Sequence, residues 1–376
     1  MRILVFVHEY PPVGGGGGKV AQEVARGLAA RGHEVRVLTA HHADLPRGET
    51  DSGVEVFRLR SCRREAYRAD LRAMGCYVAA ATFAGWRMAR RWKPDVLHAH
   101  FAVPAGAAAW AVARLTGTPY VLTAHLGDVP GGAPEKTGRW FRWVFPFTRP
   151  IWRGAAQITA VSAFTRRLAQ AHYPVNIRVI PNGVDVEALR PAAFHLHRPP
   201  HILFAGRLMP QKNPLQVVRV LRRLRGLPWR CTMLGDGPLR AEVEAAVRAA
   251  GLEARVAFPG WVTPEEVLAR FDEGDILFMP SRSEGLPVVG VQALAKGLAI
   301  VAGKVGGFLD VVAEGENGFL IPPEDTTAAA EALRALLTEP KRLRAFREAS
   351  LRRARRFDLQ AVVAAYEEVL TQASAL

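Results

Sequence analysis

Residues 281–307 combine residue types that suit recognition of a phosphorylated sugar. Glu284 lies in a loop between the apolar run Ile276–Met279 and a predicted helix that begins at Pro287. Proline suits the first helical position because it has no N–H to leave unpaired. The first N–H groups of a helix lack intrahelical partners and attract anions. A carboxylate beside such a site binds hydroxyl groups better than phosphate, so the segment predicts a ligand that carries both phosphate and sugar.

Two cations follow an earlier apolar run in the same way. Arg207 and Lys212 flank a loop that precedes a predicted helix starting at Pro214. A guanidinium offers a planar pair of donors and an ammonium offers a compact charge, so together they suit a diphosphate. A pair of exposed cations without a ligand is the alternative.

A run of five glycines, residues 14–18, follows the first apolar run of the chain. Glycines let the backbone approach a ligand closely, and the helix behind them would attract phosphate. The run is not the dinucleotide-binding Gly-x-Gly-x-x-Gly fingerprint in its usual context, because no acidic residue ends the second predicted strand near Ala40. A flexible turn is the alternative.

His125 and Asp128 follow the predicted strand Tyr120–Thr123. In open α/β sheets, ligands bind beyond the carboxyl ends of the strands. This pair could therefore hold a sugar or assist proton transfer, and a structural role is the alternative. His98 and His100 alternate along another strand and face the same side. Without an evident third ligand, packing and hydrogen bonding are favoured over metal binding for these two histidines.

The elements that must position these residues alternate between short apolar runs and helical patterns. This alternation is typical of parallel sheets covered by helices on both faces. The first series of predicted strands comprises Ile3–Val7, Glu34–Thr39, Val54–Leu59, Val96–Ala99, Tyr120–Thr123, Gln157–Val161 and Arg178–Ile180. The second series comprises Ile202–Ala205, Arg230–Leu234, Val256–Phe258, Ile276–Met279 and Ala299–Ala302. A segment rich in Pro and His, residues 191–200, separates them and predicts a linker between two doubly wound domains.

Composition limits the class of protein. A chain of 376 residues, 49% of them hydrophobic, exceeds one ordinary core. The cysteines Cys62, Cys76 and Cys231 are odd in number and scattered, which argues against a disulfide framework and for a reducing compartment. The N-terminal apolar run is too short for a signal peptide, and the longest apolar run, residues 101–112, falls short of the roughly 20 residues of a membrane span.

The net charge of +15 is concentrated in the first half of the chain. Residues 1–190 hold 26 of the 50 Lys and Arg residues but 14 of the 35 Asp and Glu residues. The densest basic part comprises Arg58, Arg60, Arg63, Arg64, Arg68, Arg72, Arg87, Arg90, Arg91 and Lys93. Such a patch suits anionic lipid, nucleic acid or an anionic substrate. Nucleic acid is the weaker prediction because no aromatic–basic pattern accompanies the patch, and a solvated surface is the alternative.

In this order, the segments resemble the retaining glycosyltransferases of family 4, which have the GT-B fold. The resemblance covers nearly the whole chain and rests on the glycine run, residues 23–25, 31–35, 95–100, His125, residues 181–185, 206–208 with Lys212, 235–237, 260–262 and 280–307. It implies an α/β protein with two doubly wound Rossmann-like domains that face a cleft. The acceptor-side domain would comprise residues 1–190 and a C-terminal helix in residues 358–376, and the donor-binding domain would comprise residues 200–357.

The resemblance implies roles on the donor side. Arg207 and Lys212 would hold the donor diphosphate, and Glu284 would hold hydroxyl groups of the donor sugar. The backbone that would bind the sugar and phosphate beside Glu284 belongs to Leu286, Pro287 and Val288. The backbone near Val262 would face the base of the nucleotide.

The resemblance also implies roles for the first domain. The loop at Gly15 and Gly16 would close over the donor, and His125 would lie beside the donor sugar ring. Asp128 is a weaker candidate on the acceptor and sugar side.

One position departs from the family pattern. Gln292 stands eight residues after Glu284, where the family has a second glutamate that accepts hydrogen bonds from the ribose hydroxyls. Glutamine keeps hydrogen-bonding capacity but loses the charge-assisted part, roughly 1 kcal/mol. The departure therefore bears on nucleotide affinity or choice more than on activity itself.

We therefore predict a cytoplasmic, retaining glycosyltransferase that moves a hexose from a UDP-sugar or GDP-sugar. No metal or other cofactor is expected, because the chain has no Asp-x-Asp motif and the two cations and helix N–H groups can stabilise the leaving diphosphate. The acceptor stays open among a small molecule, a glycan and a lipid-linked compound, and the basic first domain favours an anionic or lipid-linked acceptor at the inner membrane face. The alternatives are a GT-B epimerase or phosphorylase and a basic nucleic-acid- or membrane-binding protein without catalysis.

Overall fold

The computed structural model describes residues 1–65, 69–132 and 134–376. Arg68, a member of the basic segment, lies outside the described residues. Among the described residues, no helix is both long enough and apolar enough to span a membrane.

The structure consists of strands that alternate with helices. In the described part of the chain, the strands are β1 (Arg2–Phe6), β2 (Glu34–Ala40), β3 (Gly48–Asp51), β4 (Val54–Leu59), β5 (Val96–His100), β6 (Tyr120–Ala124), β7 (Gln157–Ala160), β8 (Arg178–Val179), β9 (His201–Ala205), β10 (Arg230–Leu234), β11 (Val256–Gly260), β12 (Ile276–Met279), β13 (Ala299–Gly303) and β14 (Gly318–Ile321). The α-helices there are α1 (Gly16–Ala30), α2 (Leu71–Trp92), α3 (Ala107–Thr116), α4 (Pro134–Arg153), α5 (Ala163–Gln170), α6 (Val186–Leu189), α7 (Pro214–Arg223), α8 (Arg240–Ala249), α9 (Pro264–Asp272), α10 (Val288–Ala295), α11 (Phe308–Val311), α12 (Thr326–Thr338), α13 (Pro340–Ala354) and α14 (Leu359–Ser374).

The chain folds into two compact units. Unit 1 comprises Met1–Gly183 and Leu359–Leu376, and unit 2 comprises Val184–Asp358. Each unit is a parallel sheet flanked by helices, which confirms the predicted fold class of two α/β Rossmann-like domains.

The boundary between the units lies before the predicted linker, at residues 183–184 rather than within residues 191–200. The linker prediction was wrong because residues 184–200 are tied to unit 2 by hydrogen bonds. Val184 N–H donates to the carbonyl of Phe357 at 2.9 Å. The buried guanidinium of Arg347 donates to the carbonyl of His195 at 2.7 Å. The Pro- and His-rich segment is therefore an ordered part of unit 2 and not a linker.

The sheet of unit 1 has the order β3-β4-β2-β1-β5-β6-β7-β8. All neighbouring pairs are parallel except β3 with β4. Strands β5 and β6 are buried at every position, as expected for central strands covered on both faces. The strand order reverses at β1, since β2 follows on one side and β5 on the other. Such a switch point is where open α/β sheets bind ligands.

The sheet of unit 2 has the order β11-β10-β9-β12-β13-β14 and is parallel throughout. Its order reverses at β9, with β10 on one side and β12 on the other. The central strands β9, β12 and β13 are fully buried. The loops that follow β9 and β12 therefore meet at the switch point of this sheet.

The C-terminal helix α14 completes unit 1. Val363 is fully buried against Gly27 of α1, where an added Cβ would lie 2.4 Å from a methyl group of Val363. Glu367 accepts hydrogen bonds from Arg31 and His33, each at 2.8 Å. These contacts hold α14 on unit 1, although unit 2 separates it in sequence from the rest of unit 1.

Two strands and one helix start differ from the sequence prediction. β3 and β14 were not predicted, because β3 is a polar strand at the sheet edge and β14 is a four-residue segment that begins with glycine. The helical pattern of residues 65–92 predicts a start at Glu65. Helix α2 starts at Leu71 instead, because the side chain of Asp70 accepts a hydrogen bond from Ala73 N–H at 2.7 Å and caps the helix.

The sequence argued against a disulfide framework, but two of the three cysteines are bonded to each other. Cys62 and Cys76 form a disulfide with their Cα atoms 6.2 Å apart, whereas Cys231 is buried and unpaired. The segment after β4 folds back onto α2, and this proximity could not be read from the sequence spacing. The cysteine count therefore no longer argues for a reducing compartment.

Candidate active site

The switch point of unit 2 brings Lys212 and Glu284 into contact. Lys212 Nζ donates to Glu284 Oε1 at 2.6 Å, and the two side chains are 17% and 7% exposed. Lys212 ends a 3₁₀ turn after β9, and Glu284 lies in the loop after β12. Two residues 72 positions apart in the chain therefore form one charged pair at the edge where ligands bind.

Two hydrogen bonds, one from a side chain and one from the backbone, hold these two loops together. Gln211 Nε2 donates to the carbonyl of Ser283 at 2.8 Å. In return, Arg282 N–H donates to the carbonyl of Gln211 at 2.8 Å. Because the residues next to Lys212 and Glu284 are tied reciprocally, the positions of the ammonium and the carboxylate are coupled.

Arg207 lies on the surface of unit 2 in the loop that also carries Lys212. Its neighbour Gly206 follows β9 and lies close to Lys212, since an added Cβ would be 3.5 Å from Lys212 Cε. The two predicted cations therefore share one loop, with Lys212 turned to Glu284 and Arg207 exposed.

Two glycines after β13 let a third loop pack on the Glu284 loop. A Cβ on Gly306 would lie 1.6 Å from the carbonyl oxygen of Glu284, and a Cβ on Gly307 would lie 2.0 Å from that of Gly285. Gly306 also has a φ of +52°, which favours glycine. The carboxylate of Glu284 is thus held on a backbone that no larger residue at position 306 would allow.

Helix α10 starts directly after the Glu284 loop. Leu286 is buried, and Pro287 precedes the helix as its N-cap residue with Val288 as the first helical residue. The prediction that Pro287 occupies the first helical position was wrong by one residue, because its ψ of 115° is extended. Gln292 lies half-buried one turn into the helix. The N-terminal N–H groups of α10 therefore stand beside Glu284, as the sequence predicted.

Val262 lies in the loop after β11, at the same edge of the unit 2 sheet. It is half-buried, whereas its neighbour Trp261 is 73% exposed. Its backbone is therefore available at the end of a strand, but no described contact joins it to Lys212 or Glu284.

In unit 1, the glycine loop closes over a carboxylate that sequence reasoning missed. Gly15 N–H donates to Glu9 Oε2 at 3.2 Å, and α1 begins at Gly16. Gly14 has a φ of +101°, and a Cβ there would lie 2.4 Å from Glu9 Cβ. Gly14 thus has a local structural reason to be glycine, whereas a Cβ on Gly15 would meet no atom within 4 Å. A carboxylate shortly before a glycine run was the available signal for Glu9.

His125 lies at the end of β6, and its ring stacks on Phe101 with ring centres 4.1 Å apart. Phe101 follows β5 and adopts a φ of +74°, which is rare for a bulky residue. His125 Nε2 is buried and has no hydrogen-bond partner among the described residues. Burial lowers the pKa of His125 to about 4, so the ring is neutral near pH 7.

The Asp128 side chain accepts hydrogen bonds from the backbone of unit 1. Its carboxylate accepts hydrogen bonds from Ala102 N–H at 2.8 Å and from His125 N–H at 2.8 Å. Burial raises its pKa to about 7, and these N–H groups oppose that rise. The spacing of His125 and Asp128 therefore reflects a capped turn, and the structure does not bring the two side chains together for proton transfer.

His98 and His100 pack as the sequence favoured. Their ring centres lie 4.3 Å apart, and His98 Nε2 is hydrogen-bonded to Thr123 Oγ1 at 2.8 Å. Burial lowers the pKa of His98 to about 3 and holds that of His100 well below its usual range. Within the described ranges, no group of three or more His, Cys, Asp or Glu side chains is arranged to hold a metal ion.

Known proteins share both halves of this architecture. The family model "Glycosyltransferase Family 4" matches residues 14–188, and "Glycosyl transferases group 1" matches residues 185–353. The 2-deoxystreptamine glucosyltransferase of Streptomyces kanamyceticus is 30% identical, over 84% of this chain and 88% of its own length.

Solved structures share the fold at lower identity. Sucrose-phosphate synthase of Thermosynechococcus elongatus has a TM-score of 0.84 at 22% identity, over 100% of this chain and 99% of that chain. An Anabaena protein solved in complex with UDP-glucose has a TM-score of 0.78 at 19% identity, over 99% of both chains. With two family models across the chain and a 30% identical relative over most of its length, the chain belongs to the family 4 glycosyltransferases.

Proposed function

We propose that this glycosyltransferase moves a hexose from a UDP-sugar or GDP-sugar to an acceptor with retention of the anomeric configuration. Unit 2 would bind the donor, and unit 1 would bind the acceptor. The observation that carries this proposal is the contact of Lys212 with Glu284 at the switch point of the unit 2 sheet. A cation for phosphate and a carboxylate for sugar hydroxyls at one place suit a ligand that contains both.

Lys212 and Arg207 would act on the leaving group. Breaking the bond between the anomeric carbon and the diphosphate oxygen leaves a positively charged sugar and increases the negative charge on the diphosphate. Cations and helix N–H groups held in place stabilise that charge more in the transition state than in the ground state. The N-terminus of α10 would add its N–H groups to the two side chains. Under this proposal the departure of the diphosphate needs no metal ion.

Glu284 would hold hydroxyl groups of the donor sugar. Its position on Lys212 means that a bound diphosphate competes for the ammonium and leaves the carboxylate to accept hydrogen bonds. Gln292 would meet the ribose, and the backbone at Val262 would meet the base.

In unit 1, His125 and the loop at Gly15 and Gly16 would meet the donor sugar and diphosphate. A neutral His125 can donate or accept one hydrogen bond through its unpartnered Nε2. It would therefore orient a hydroxyl group at neutral pH without adding a charge.

A panel of nucleotide-sugars tests the proposal. We expect slow release of UDP or GDP from the matching sugar nucleotide without acceptor, and an increase in thermal stability with the same nucleotide. No stabilisation by any nucleotide, together with stabilisation by an oligonucleotide, would favour a nucleic-acid-binding protein instead. Release of sugar phosphate after addition of inorganic phosphate would favour a phosphorylase, and interconversion of sugar nucleotides would favour an epimerase.

The cytoplasmic location and attachment to the inner membrane face belong to the same proposal. The support is the excess of basic residues in residues 1–190. Co-sedimentation with anionic liposomes at low salt is the expected result, and its absence would remove the membrane from the proposal.

A further inference from the structure

A cationic pocket of about 390 Å³ lies at the carboxyl-end edge of the unit 1 sheet. Its described lining comes from the segment after β2, the segment after β4 and the first turn of α2, namely His41, His42, Ala43, Arg60, Ser61, Cys62, Arg63, Arg64 and Arg72. Four of these residues are arginines, and none is Asp or Glu. The pocket therefore concentrates positive charge at an edge where open α/β sheets bind ligands.

Three of the four arginines are available to a ligand. Arg60, Arg64 and Arg72 are exposed, and none of them has an ion-pair partner among the described residues. The pocket also contains a buried nitrogen, His42 Nδ1, without a hydrogen-bond partner in the described part of the chain. An unpaired cluster of this kind repels itself, so it favours a bound anion.

Other arginines of the basic segment have structural roles. Arg58 is 2% exposed and donates to the carbonyl of Pro11 at 2.8 Å. Arg63 is buried and pairs with Glu9 at 3.4 Å. Among the described arginines between residues 58 and 72, the exposed side chains are thus Arg60, Arg64 and Arg72, which line the pocket. The disulfide Cys62–Cys76 ties the loop of Arg64 to the helix of Arg72.

We propose that this pocket binds the phosphomonoester group of a phosphorylated acceptor. This inference rests on the proposed function, in which unit 1 binds the acceptor. A phosphomonoester carries close to two negative charges at pH 7 and three terminal oxygens, and guanidinium groups match such oxygens in pairs. A neutral sugar would leave the three free guanidinium groups without a partner.

Arg63 links the pocket to the glycine loop of unit 1. It donates to the carbonyl of His8 at 3.1 Å and pairs with Glu9, which in turn accepts a hydrogen bond from Gly15 N–H. A phosphate in the pocket therefore lies two side chains away from the glycine loop. The phosphate would anchor the acceptor while a hydroxyl elsewhere on it receives the sugar.

The lining disfavours nucleic acid as the occupant. Single strands bind by stacking bases on aromatic side chains along a basic groove. The described lining contains no Phe, Trp or Tyr. A pocket of this size holds one compact group, so a single phosphate fits better than a strand.

Calorimetry with glycerol 3-phosphate and inorganic phosphate tests the inference. Saturating UDP is present throughout, so that unit 2 is occupied. We expect binding by the wild-type chain and at least an about tenfold loss of affinity in the triple variant Arg60→Gln/Arg64→Gln/Arg72→Gln. Arg87→Gln, an exposed arginine further along α2, is the matched control and should bind as the wild type does. Equal affinity in the triple variant, no binding by the wild type, or tighter binding of glucuronate than of either phosphate would overturn the inference.

The same variants separate this inference from the proposed function. The triple variant should bind UDP normally, whereas Arg207→Ala should weaken UDP binding and, assayed without UDP, keep phosphate binding in unit 1. If UDP does not bind the wild type but glycerol 3-phosphate binding still depends on the three arginines, the donor assignment fails and the pocket stands.

Vesicles distinguish the source of the phosphate. Co-sedimentation with phosphatidylcholine vesicles that contain phosphatidic acid, lost in the triple variant, would indicate a lipid-linked phosphate. Binding of glycerol 3-phosphate without such co-sedimentation would indicate a soluble one. If only oligonucleotides bind, or if the triple variant sediments like the wild type, the pocket does not recognise a phosphomonoester.

Discussion

The ammonium of Lys212 and the carboxylate of Glu284 neutralise each other in the absence of a ligand. This pairing keeps two partly desolvated charges compatible with the folded state, since an unpaired charge at either position would be costly. A diphosphate can replace the carboxylate as partner of the ammonium, and sugar hydroxyls can replace the ammonium as partners of the carboxylate.

Gln292→Glu should tighten nucleotide binding by about fivefold if this side chain meets the ribose. A carboxylate accepts hydrogen bonds from hydroxyl groups more strongly than an amide does, by roughly 1 kcal/mol. Calorimetry with UDP and GDP measures the change. Gln216→Glu is unsuitable as a control because Gln216 is fully buried, so Gln372→Glu, at an exposed position of α14, serves instead. Unchanged or weaker binding of both nucleotides would remove the ribose assignment.

The placement of candidate site residues could be predicted where their chemistry coincided with a strand end. Arg207, Lys212 and Glu284 all follow apolar runs, and two parallel strands that pair bring such loops to one edge. Glu9 and Phe101 were not predicted. Their significance depends on side-chain contacts with the glycine loop and with the His125 ring, and these contacts arise from tertiary packing that no local pattern records.

Helices α1 and α14 approach closely because α1 carries a glycine at the contact. Gly27→Ala should destabilise unit 1 by about 1–3 kcal/mol, as overpacking does, since the new methyl group would lie 2.4 Å from Val363 Cγ2. Chemical denaturation measures the free energy of unfolding. Adding Val363→Ala to Gly27→Ala should recover part of the loss, which tests the contact itself.

Gly75→Ala in α2 is the matched control for this substitution. No atom outside its local backbone lies within 4 Å of an added Cβ at Gly75. Alanine is favoured over glycine in helices by about 0.5–1 kcal/mol, so this variant should be slightly more stable than the wild type. Equal effects at Gly27 and Gly75 would show that the α1–α14 contact is loose.

Most elements could be predicted because central strands of a parallel sheet are continuous apolar runs. Strands such as β10 and β12 agree with the predicted bounds. The features that were not predicted share one cause. Contacts between distant parts of the chain stabilise them. The polar edge strand β3 is stabilised by pairing with β4, and the bond of Cys62 to Cys76 depends on how the chain returns to α2.

The whole molecule should lose stability as the pH falls from 7 to 5, because unit 1 buries four neutral histidines. Burial lowers the pKa of His8 and His125 to about 4 and that of His98 to about 3, and it holds that of His100 well below the usual range. In the unfolded chain these side chains take up protons near pH 6.5, so the unfolded state binds more protons in this window. Asp128, whose pKa burial raises to about 7, acts in the opposite direction, but it is one group against four.

Denaturation at several pH values measures this dependence. We expect the free energy of unfolding at pH 5 to lie more than about 2 kcal/mol below that at pH 7. His100→Phe should make the dependence shallower by about one proton, because neither ring nitrogen of His100 has a hydrogen-bond partner among the described residues. A flat profile between pH 7 and 5 would show that these histidines are solvated.

The central claim is that Arg207 and Lys212 stabilise the departing diphosphate, and the turnover number at saturating sugar nucleotide tests it most directly. Arg207→Ala and Lys212→Ala should each lower kcat at least about tenfold, as loss of a transition-state contact does. Lys341→Ala, an exposed lysine of α13, should leave kcat unchanged. Because Arg207 is exposed, Arg207→Ala should also keep the wild-type melting temperature. Near-normal kcat in both variants would contradict the account.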